Sequence, residues 1–396
     1  MGGDDHVTGN ITDYLASQAH GEFISEGEFR LSPEELARKL GDSMFQPQNW
    51  VLKFVQAATV LRAKTVQIKM ERQWLRIEFT LDDHFPVDSA EDFLNQSPSD
   101  RAHKHLLYGL FCSVNLYTSE EVRFLWTGAN SQLHRILAKE RAFELSAQTL
   151  DSGTAPALAP ALAFALKRKP TTTVEKLFRK ASFEAELRVL QERVRLYPGN
   201  MFLDGRSLDN WSRQPNDPYT REVCLVSRPS TSPPYLNLRW KRLPNLEDFP
   251  RPHGPYKRDL LLEIVYSDPA RTRHPCTVAW FVDGIILQEE IILAADTNVG
   301  MRLYLSAEGL KTDLSTFGLV ENDEKSQRLR CPSVREWLLN TLTWAEGASL
   351  KRAEAFRQDS FQDVLLGRAR APVDRLLLVD GLRKRRNEWM QYLHRT

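Results

Sequence analysis

One stretch, residues 46–83, sets the strongest limits on how this chain folds. It reads QPQNWVLKFVQAATVLRAKTVQIKMERQWLRIEFTLDD. Its first part predicts a helix from Asn49 to about Arg62, because apolar residues recur there at helical spacing. Two strands are predicted at 65–70 and 74–81, where apolar and polar side chains roughly alternate. The stretch therefore predicts a helix that leads through a turn into a strand pair.

Length and composition exclude several classes of protein. The chain has 396 residues, which is long for one core and predicts two or three domains. The formal net charge is +1, so no global field attracts the chain to nucleic acid or to an anionic membrane. The four cysteines lie far apart, which argues against a zinc site or a disulfide framework and favours the reducing cytoplasm. No apolar run reaches the roughly 20 residues that span a bilayer.

The rest of the chain predicts further helices and a second group of strands. Helical spacing of apolar residues indicates helices at 101–116, 182–196, 333–346 and 350–366. Strands are indicated at 120–128, 201–208, 222–227, 259–267, 276–287 and 301–310. Asp204-Gly205 and Asp283-Gly284 are typical of hairpin turns. A domain boundary is expected within residues 145–180.

Four segments, in this order, resemble the GHKL nucleotide-binding fold of the 90-kDa heat-shock chaperone, MutL and type II topoisomerase ATPases. The segments are WVLKFVQAATVLRAKTVQI, IEFTLDDHFP, YGLFCSVNLYTSEEVRFLW and, further on, LQERVRLYPGNMFLDGRSL with VDGIILQEEI and SAEGLKTDLSTFGLVENDE. The nearest resemblance is to divergent bacterial chaperone-like proteins of this fold. It covers residues 25–330, and it rests on spacing and hydrophobic pattern more than on signature residues.

This resemblance implies an α+β fold with a particular domain order. A GHKL-like (Bergerat-type) α/β sandwich would be followed by a transducer-like α/β domain and a helical C-terminal segment. The expected ranges are a flexible leader at 1–22, the degenerate nucleotide-binding fold at 23–150, the transducer-like domain at 180–330 and the C-terminal segment at 331–396.

The residues at the family's catalytic positions do not suit ATP hydrolysis. When Arg62-Ala63 is aligned with the family's Gly-Ala pair, Lys53 takes the place of the glutamate that activates water. Ala57 takes the place of the asparagine that holds Mg²⁺. A protonated lysine accepts no proton, and alanine ligates no metal. Two readings of Lys53 remain open: it points to solvent from an amphipathic helix, or it binds a phosphate directly.

The other two nucleotide motifs of the family are also weak here. Asp82 and Asp83 are candidates for the adenine-binding aspartate, but the sequence around them lacks the glycines that let a backbone approach a ligand. An acidic turn is the alternative. Gly109 is the one glycine near the position of the glycine-rich lid, and a lone glycine in a helical pattern is weak evidence for a phosphate site.

A basic cluster near the C-terminus could serve a partner instead of a nucleotide. Arg383, Lys384, Arg385 and Arg386 could contact a nucleic-acid backbone or an acidic protein surface. A solvated helix face is the alternative, because basic residues near a helix C-terminus also suit the helix dipole. His103 and His105 are two apart and lie on different faces of a helix, so we expect no metal pair there.

We therefore expect a non-catalytic, chaperone-like scaffold that acts through protein–protein contacts in a cytoplasmic complex. By family analogy this would be a bacterial stress or defence complex. No cofactor, no metal and no membrane contact are expected. The alternatives are a divergent ATP-binding switch or weak ATPase that uses ATP and Mg²⁺, and a nucleic-acid-associated subunit that uses the basic C-terminus. A homodimer stays open.

Overall fold

The fold is taken from a computed structural model. It describes residues 46–82, 84–95, 100–128, 132–139, 142–149, 161–178, 181–194, 196–207, 220–227, 241–242, 260–267, 272–312, 318–320, 322–359 and 371–394. A short 3₁₀ turn, Pro47–Asn49, precedes the first helix. The helices of these residues are α1 (Trp50–Val60), α2 (Ala90–Asn95), α3 (Arg101–Val114), α4 (Thr173–Phe178), α5 (Glu184–Arg193), α6 (Asp323–Arg330), α7 (Pro332–Asp359) and α8 (Ala371–His394).

The strands form two sheets. Sheet 1 contains β1 (Thr65–Glu71), β2 (Trp74–Thr80), β3 (Ser119–Thr127), β4 (Gln132–Lys139), β5 (Ala142–Thr149), β6 (Ala161–Arg168), β7 (Asn200–Leu203) and β8 (Arg206–Ser207). Sheet 2 contains β9 (Thr220–Ser227), β10 (Lys241–Arg242), β11 (Leu260–Ser267), β12 (His274–Val282), β13 (Ile285–Thr297) and β14 (Val299–Ser306).

Sheet 1 is antiparallel apart from one pair of strands. Its strand order is β5-β4-β3-β6-β2-β1-β7-β8, and only β1 and β7 run parallel. The β1–β2 hairpin aligns Ile68 with Ile77, so both apolar side chains lie on the same face of the sheet. That face carries α1 and α3, because Phe164 of β6 and Phe143 of β5 contact aromatic rings of these two helices.

Helix α1 is covered on all sides. Every residue from Trp50 to Thr59 is buried. The rings of Phe54 and Trp50 lie 4.2 and 5.2 Å from the ring of Phe164. Helix α3 packs beside α1, and α5 also contacts it. A helix with protein on every side does not need a polar stripe, and the sequence of α1 is accordingly apolar nearly all round.

Sheet 2 carries the hairpin that reaches the first sheet's helices. Its strand order is β10-β9-β11-β14-β12-β13, and β12 and β14 run parallel. Strands β12 and β13 are joined at Asp283 and Gly284, which both have positive φ, 48° and 79°. Such values are typical of a two-residue hairpin turn. The turn lies against α1: a Cβ on Gly284 would be 2.7 Å from Thr59 Oγ1.

The two long C-terminal helices, α7 and α8, pack against each other, and α8 also lies on sheet 2. The approach of α8 to β14 is close at Gly381, where a Cβ would lie 2.5 Å from Val299 Cγ2. Trp389 of α8 is fully buried. In the described residues, no helix has both the length and the apolar character needed to cross a membrane.

The α+β class is confirmed, and so are the helix and strand pair of the opening stretch. Sheet 1 continues through β6 to Ser207, so the change of sheet within the described residues falls after Ser207. The domain boundary expected within 145–180 stays a prediction. The two separate helices expected over 333–346 and 350–366 need correction: they form one helix, α7, as far as Asp359, because a helix tolerates an isolated glycine such as Gly347. Strands β4 and β5 were not expected. The leader, residues 1–22, lies outside the described residues.

Candidate functional site

Lys53, which the sequence resemblance aligns with a catalytic glutamate, is a buried lysine. Lys53 is only 2% exposed, so the expectation that it points to solvent is wrong. The physical reason is that α1 is packed on all sides, which leaves no solvent face for its charged residue. The Lys53 Nζ donates to Gln56 Oε1 at 3.1 Å and lies 5.9 Å from the centre of the Tyr108 ring.

Ala57, which the same resemblance aligns with a metal ligand, is buried as well. Ala57 is fully buried and offers no atom that could bind a cation. Gly109, the candidate lid glycine, lies inside α3 where α3 crosses α1. A Cβ at Gly109 would be 2.7 Å from Phe54 Cε2, so glycine serves close helix packing here. Its position gives no support to a role in holding phosphate.

Asp82 lies away from this cluster. It is exposed and forms an ion pair with Lys64 at 2.5 Å, with 61% and 65% of the two side chains exposed. The geometry is that of an acidic turn at the end of β2. Asp83, the other candidate, lies outside the described residues.

A polar junction joins α3 to sheet 2 beside Lys53. The His105 Nε2 lies 2.9 Å from Asp283 Oδ2 at the hairpin turn. Arg101, one helical turn before His105, contacts the same carboxylate at 2.8 Å and Glu308 at 2.7 Å. Asp283 and His105 are 11% and 13% exposed. We call these four residues, Arg101, His105, Asp283 and Glu308, the turn junction.

The surroundings of His105 favour its neutral form. Burial is the largest cause that lowers the pKa of His105, and the nearby Lys53 cation lowers it further. The hydrogen bond that the Asp283 carboxylate accepts opposes this shift but does not reverse it. The pKa of His105 therefore lies below its ordinary value of 6.5.

The groups around Lys53 form no working nucleophile. Cys112 lies on α3 near Lys53, and burial raises the pKa of its thiol to about 12. A thiol in that state is protonated at neutral pH and unreactive. His103 does not join His105, because its Nε2 contacts the Phe93 carbonyl oxygen at 2.7 Å. Among the described residues, no three His, Cys, Asp or Glu side chains are placed to hold a metal ion.

The side chains of the basic C-terminal cluster contact other residues of the same chain. Arg385 is fully buried, so the expectation that it contacts a partner is wrong for this residue. Its Nε donates to the Val299 carbonyl oxygen at 3.0 Å, and its Nη1 lies 2.8 Å from Glu388 and 2.9 Å from Asp296.

The three neighbours of Arg385 are also paired. Arg383 and Arg386 both contact the Glu346 carboxylate, at 2.9 and 2.7 Å. Lys384 contacts Asp296 at 2.8 Å. These residues lie at the surface, but their charges face acidic side chains of α7 and β13.

Sequence reasoning missed the turn junction. Its only local signal was the Asp283-Gly284 turn, which predicted the hairpin and not its partner. Arg101 and Asp283 are far apart in sequence, and nothing in either segment indicates that the fold brings them together.

A further surface feature is the helix α4, which lies near the ends of β1 and β7. Three apolar side chains of α4, Val174, Leu177 and Phe178, are 65%, 76% and 69% exposed. Val174 and Phe178 line a cavity of about 410 Å³ together with Phe183 and Met70. The helix is well fixed, because the Glu175 carboxylate accepts hydrogen bonds from the backbone N–H groups of Thr171, Thr172 and Ser182. The molecule thus holds an apolar patch in a defined, exposed position.

Comparisons with known proteins identify no family for this chain. No family model matches it, and no curated protein matches it. One similar solved structure is the ATPase region of Saccharomyces cerevisiae topoisomerase II. That structure is 10% identical, with a TM-score of 0.41, over 71% of this chain and 78% of the other. The similarity concerns the general arrangement of helices and strands, and we transfer no residue role from it.

Proposed function

We propose that this chain is a non-catalytic, chaperone-like scaffold. It would be built on a degenerate GHKL-like fold and act through protein–protein contacts. The observation that carries the proposal is the state of α1. Where an ATPase of this kind needs a base and a metal ligand, the chain has a buried lysine and a buried alanine. Neither residue can perform the required chemistry.

Burial strengthens this argument beyond the identity of the two residues. A triphosphate needs an open surface lined with hydrogen-bond donors and a cation. Here the side chain of Phe54 fills the space between α1 and α3, and Gly109 lets the two helices close on each other. The Lys53 ammonium is directed to Gln56 and Tyr108 of the protein itself.

The remaining polar groups near α1 have structural tasks. Asp283 is engaged by both His105 and Arg101, so its carboxylate is not available as a base. These contacts join α3 to the hairpin of sheet 2. A scaffold needs this kind of fixed relation between its parts, whereas hydrolysis needs a group that is free to take a proton.

Action through protein contacts is supported by the apolar patch on α4. Contiguous exposed apolar side chains on a well-fixed element are typical of surfaces that bind other proteins.

Replacing Leu177 by Ser should leave the unfolding free energy within about 0.5 kcal/mol of the original, because the side chain is 76% exposed.

An ATP-turnover assay tests the non-catalytic part of the proposal. With ATP and Mg²⁺, the purified chain should release no more phosphate than its Lys53→Met variant, which keeps the side-chain volume and removes the charge. Turnover by the original chain that the Lys53→Met variant loses would overturn the proposal and favour a divergent ATPase.

A further inference from the structure

Strand β5 forms one end of sheet 1, so within the part of the chain that the structure describes its outer edge has no partner strand. Within the described residues, β4 is the strand that pairs with β5, over the full length Ala142–Thr149. Glu144, Ser146, Ala147 and Gln148 are all exposed. An exposed edge strand presents backbone N–H and C=O groups that can pair with another strand.

Strand β5 itself lacks several of the features that commonly protect an edge against such pairing. Edge strands are commonly guarded by lysine, proline, a bulge or a very short length. Strand β5 has eight residues and pairs with β4 without a register shift. Its sequence, AFELSAQT, contains no lysine and no proline, and its one charge is Glu144.

The apolar core of sheet 1 extends to this edge. The ring of Phe143 contacts that of Phe111 of α3 in an edge-to-face arrangement at 5.9 Å. Phe143 and Leu145 pack against the main core although they are only partly buried. Side chains alternate along a strand, so Phe143, Leu145 and Ala147 lie on the helix-bearing face and Glu144 and Ser146 on the other.

We infer that two copies of this chain pair through β5, antiparallel, with Leu145 facing Leu145 across a two-fold axis. This register places Phe143 opposite Ala147 and Glu144 opposite Ser146. It joins the two apolar faces and brings no like charges together. The register centred on Glu144 would set two carboxylates directly opposite each other, which is unfavourable.

The pairing is expected to be weak and reversible. Addition of one strand to a sheet edge buries less area than a standard stable interface, so we expect dissociation in the micromolar range. In a two-fold pair the β5 edge of each copy is occupied by the β5 edge of the other, so this contact joins two copies and no more. This inference is separate from the proposed scaffold function, because it depends on β5 and not on α1.

Charge variants at residue 146 test both the pairing and its register. In the inferred dimer, Ser146→Glu places two carboxylates opposite the two copies of Glu144, whereas Ser146→Lys creates two opposite-charge pairs. From cross-strand pair energies, the first change should weaken dimerisation by roughly 2- to 30-fold and the second should strengthen it by a similar factor. Arg135 of β4 lies opposite residue 146 in both the monomer and the dimer. Its interaction with a charge at residue 146 therefore largely cancels from the free energy of dimerisation.

Gln148→Glu is the matched control. It adds the same charge to the same exposed edge, but the inferred register places it opposite Ala142, so its effect should be clearly smaller. Circular dichroism and unfolding curves of each variant establish that the monomer fold is intact.

Sedimentation velocity over a range of protein concentrations is the measurement. We expect a monomer–dimer equilibrium in which Ser146→Lys favours the dimer and Ser146→Glu the monomer. A chain that stays monomeric at every concentration, or a dimer that responds equally to Gln148→Glu and Ser146→Glu, would overturn the inference. Neither result bears on ATP turnover, so the two proposals fail independently.

Discussion

Two of the contacts that join the second sheet to helices are built differently. At the C-terminal helix α8, Arg385 is fully buried and uses its guanidinium on backbone and side chains together. It donates to the carbonyl oxygens of Val299 and Ala294 at 3.0 and 3.1 Å and contacts the carboxylates of Glu388 and Asp296. The loss of any one partner would leave the others in place.

The contact at the turn junction centres on one carboxylate and is more exposed to solvent. Asp283 receives both His105 and Arg101, and Arg101 is itself 39% exposed. One of the three groups is a histidine, which can change its charge near neutral pH. The contact of α8 with sheet 2 thus depends on a buried guanidinium with several partners, whereas the contact of the hairpin with α3 includes a histidine whose pKa is lowered by burial.

The largest effect is expected at Arg385. Arg385→Met should lower the unfolding free energy by about 3–5 kcal/mol, because it leaves buried carbonyl groups and carboxylates without their donor. Lys384→Ala is the control: that side chain is 50% exposed, and its loss should cost within about 1 kcal/mol. Urea unfolding measures both. Equal effects of the two changes would contradict the view that α8 is fixed mainly by Arg385.

The close approach of α8 to sheet 2 can be tested with glycine substitutions. Gly381→Ala should destabilise the chain by about 1–3 kcal/mol, because the added methyl group meets the side chain of Val299. Gly347→Ala in α7 meets no atom within 4 Å and should stabilise by about 0.5–1 kcal/mol through helix propensity. If both variants behave alike, the packing of α8 on β14 is looser than described.

A smaller effect is expected at the turn junction. Asp283→Asn removes the charge that both His105 and Arg101 contact and should cost about 1–2 kcal/mol. A double-mutant cycle with His105→Asn should give a coupling energy of at least about 0.5 kcal/mol. Additive effects of the two changes would mean that the His105–Asp283 contact contributes little.

The pH dependence of stability sharpens the same comparison. The folded-state pKa of His105 lies below the ordinary value of 6.5. At pH values between the folded-state pKa and 6.5, the unfolded chain therefore binds the proton and the folded chain does not. Stability should therefore fall as the pH drops below about 6.5, with a slope of up to ~1.4 kcal/mol per pH unit from this group. His105→Asn should flatten the slope, and an unchanged slope would assign the acid sensitivity to other groups.

The sequence predicts local elements well where the pattern is strong. Helix α1 and the β1–β2 hairpin were expected from apolar spacing, and the Asp283-Gly284 turn from its residue types. Strands β4 and β5 were not predicted, although apolar and polar residues alternate in AFELSAQT, the sequence of β5. The parallel pairing of β7 with β1 was not predicted, because the two strands are far apart in sequence.

The candidate site was less predictable, because burial depends on tertiary packing. Lys53 looked like a residue on a solvent-facing side, and only the approach of α3 and α5 makes it buried. Arg385 stands in a run of four basic residues, and nothing local separates it from its exposed neighbours. The identities of Lys53 and Ala57 were visible from the start, and the structure adds that both positions are closed.

Thermal unfolding with and without Mg-ATP tests the central claim most directly. A ligand that binds only the folded chain stabilises it by ~2.7 kcal/mol at a hundredfold excess over its dissociation constant. Because Lys53 and Ala57 are buried and Phe54 lies against Gly109 between α1 and α3, we predict the same melting temperature at every Mg-ATP concentration. A rise that grows with Mg-ATP and disappears in the Lys53→Met variant would contradict the account and identify an ATP-binding switch.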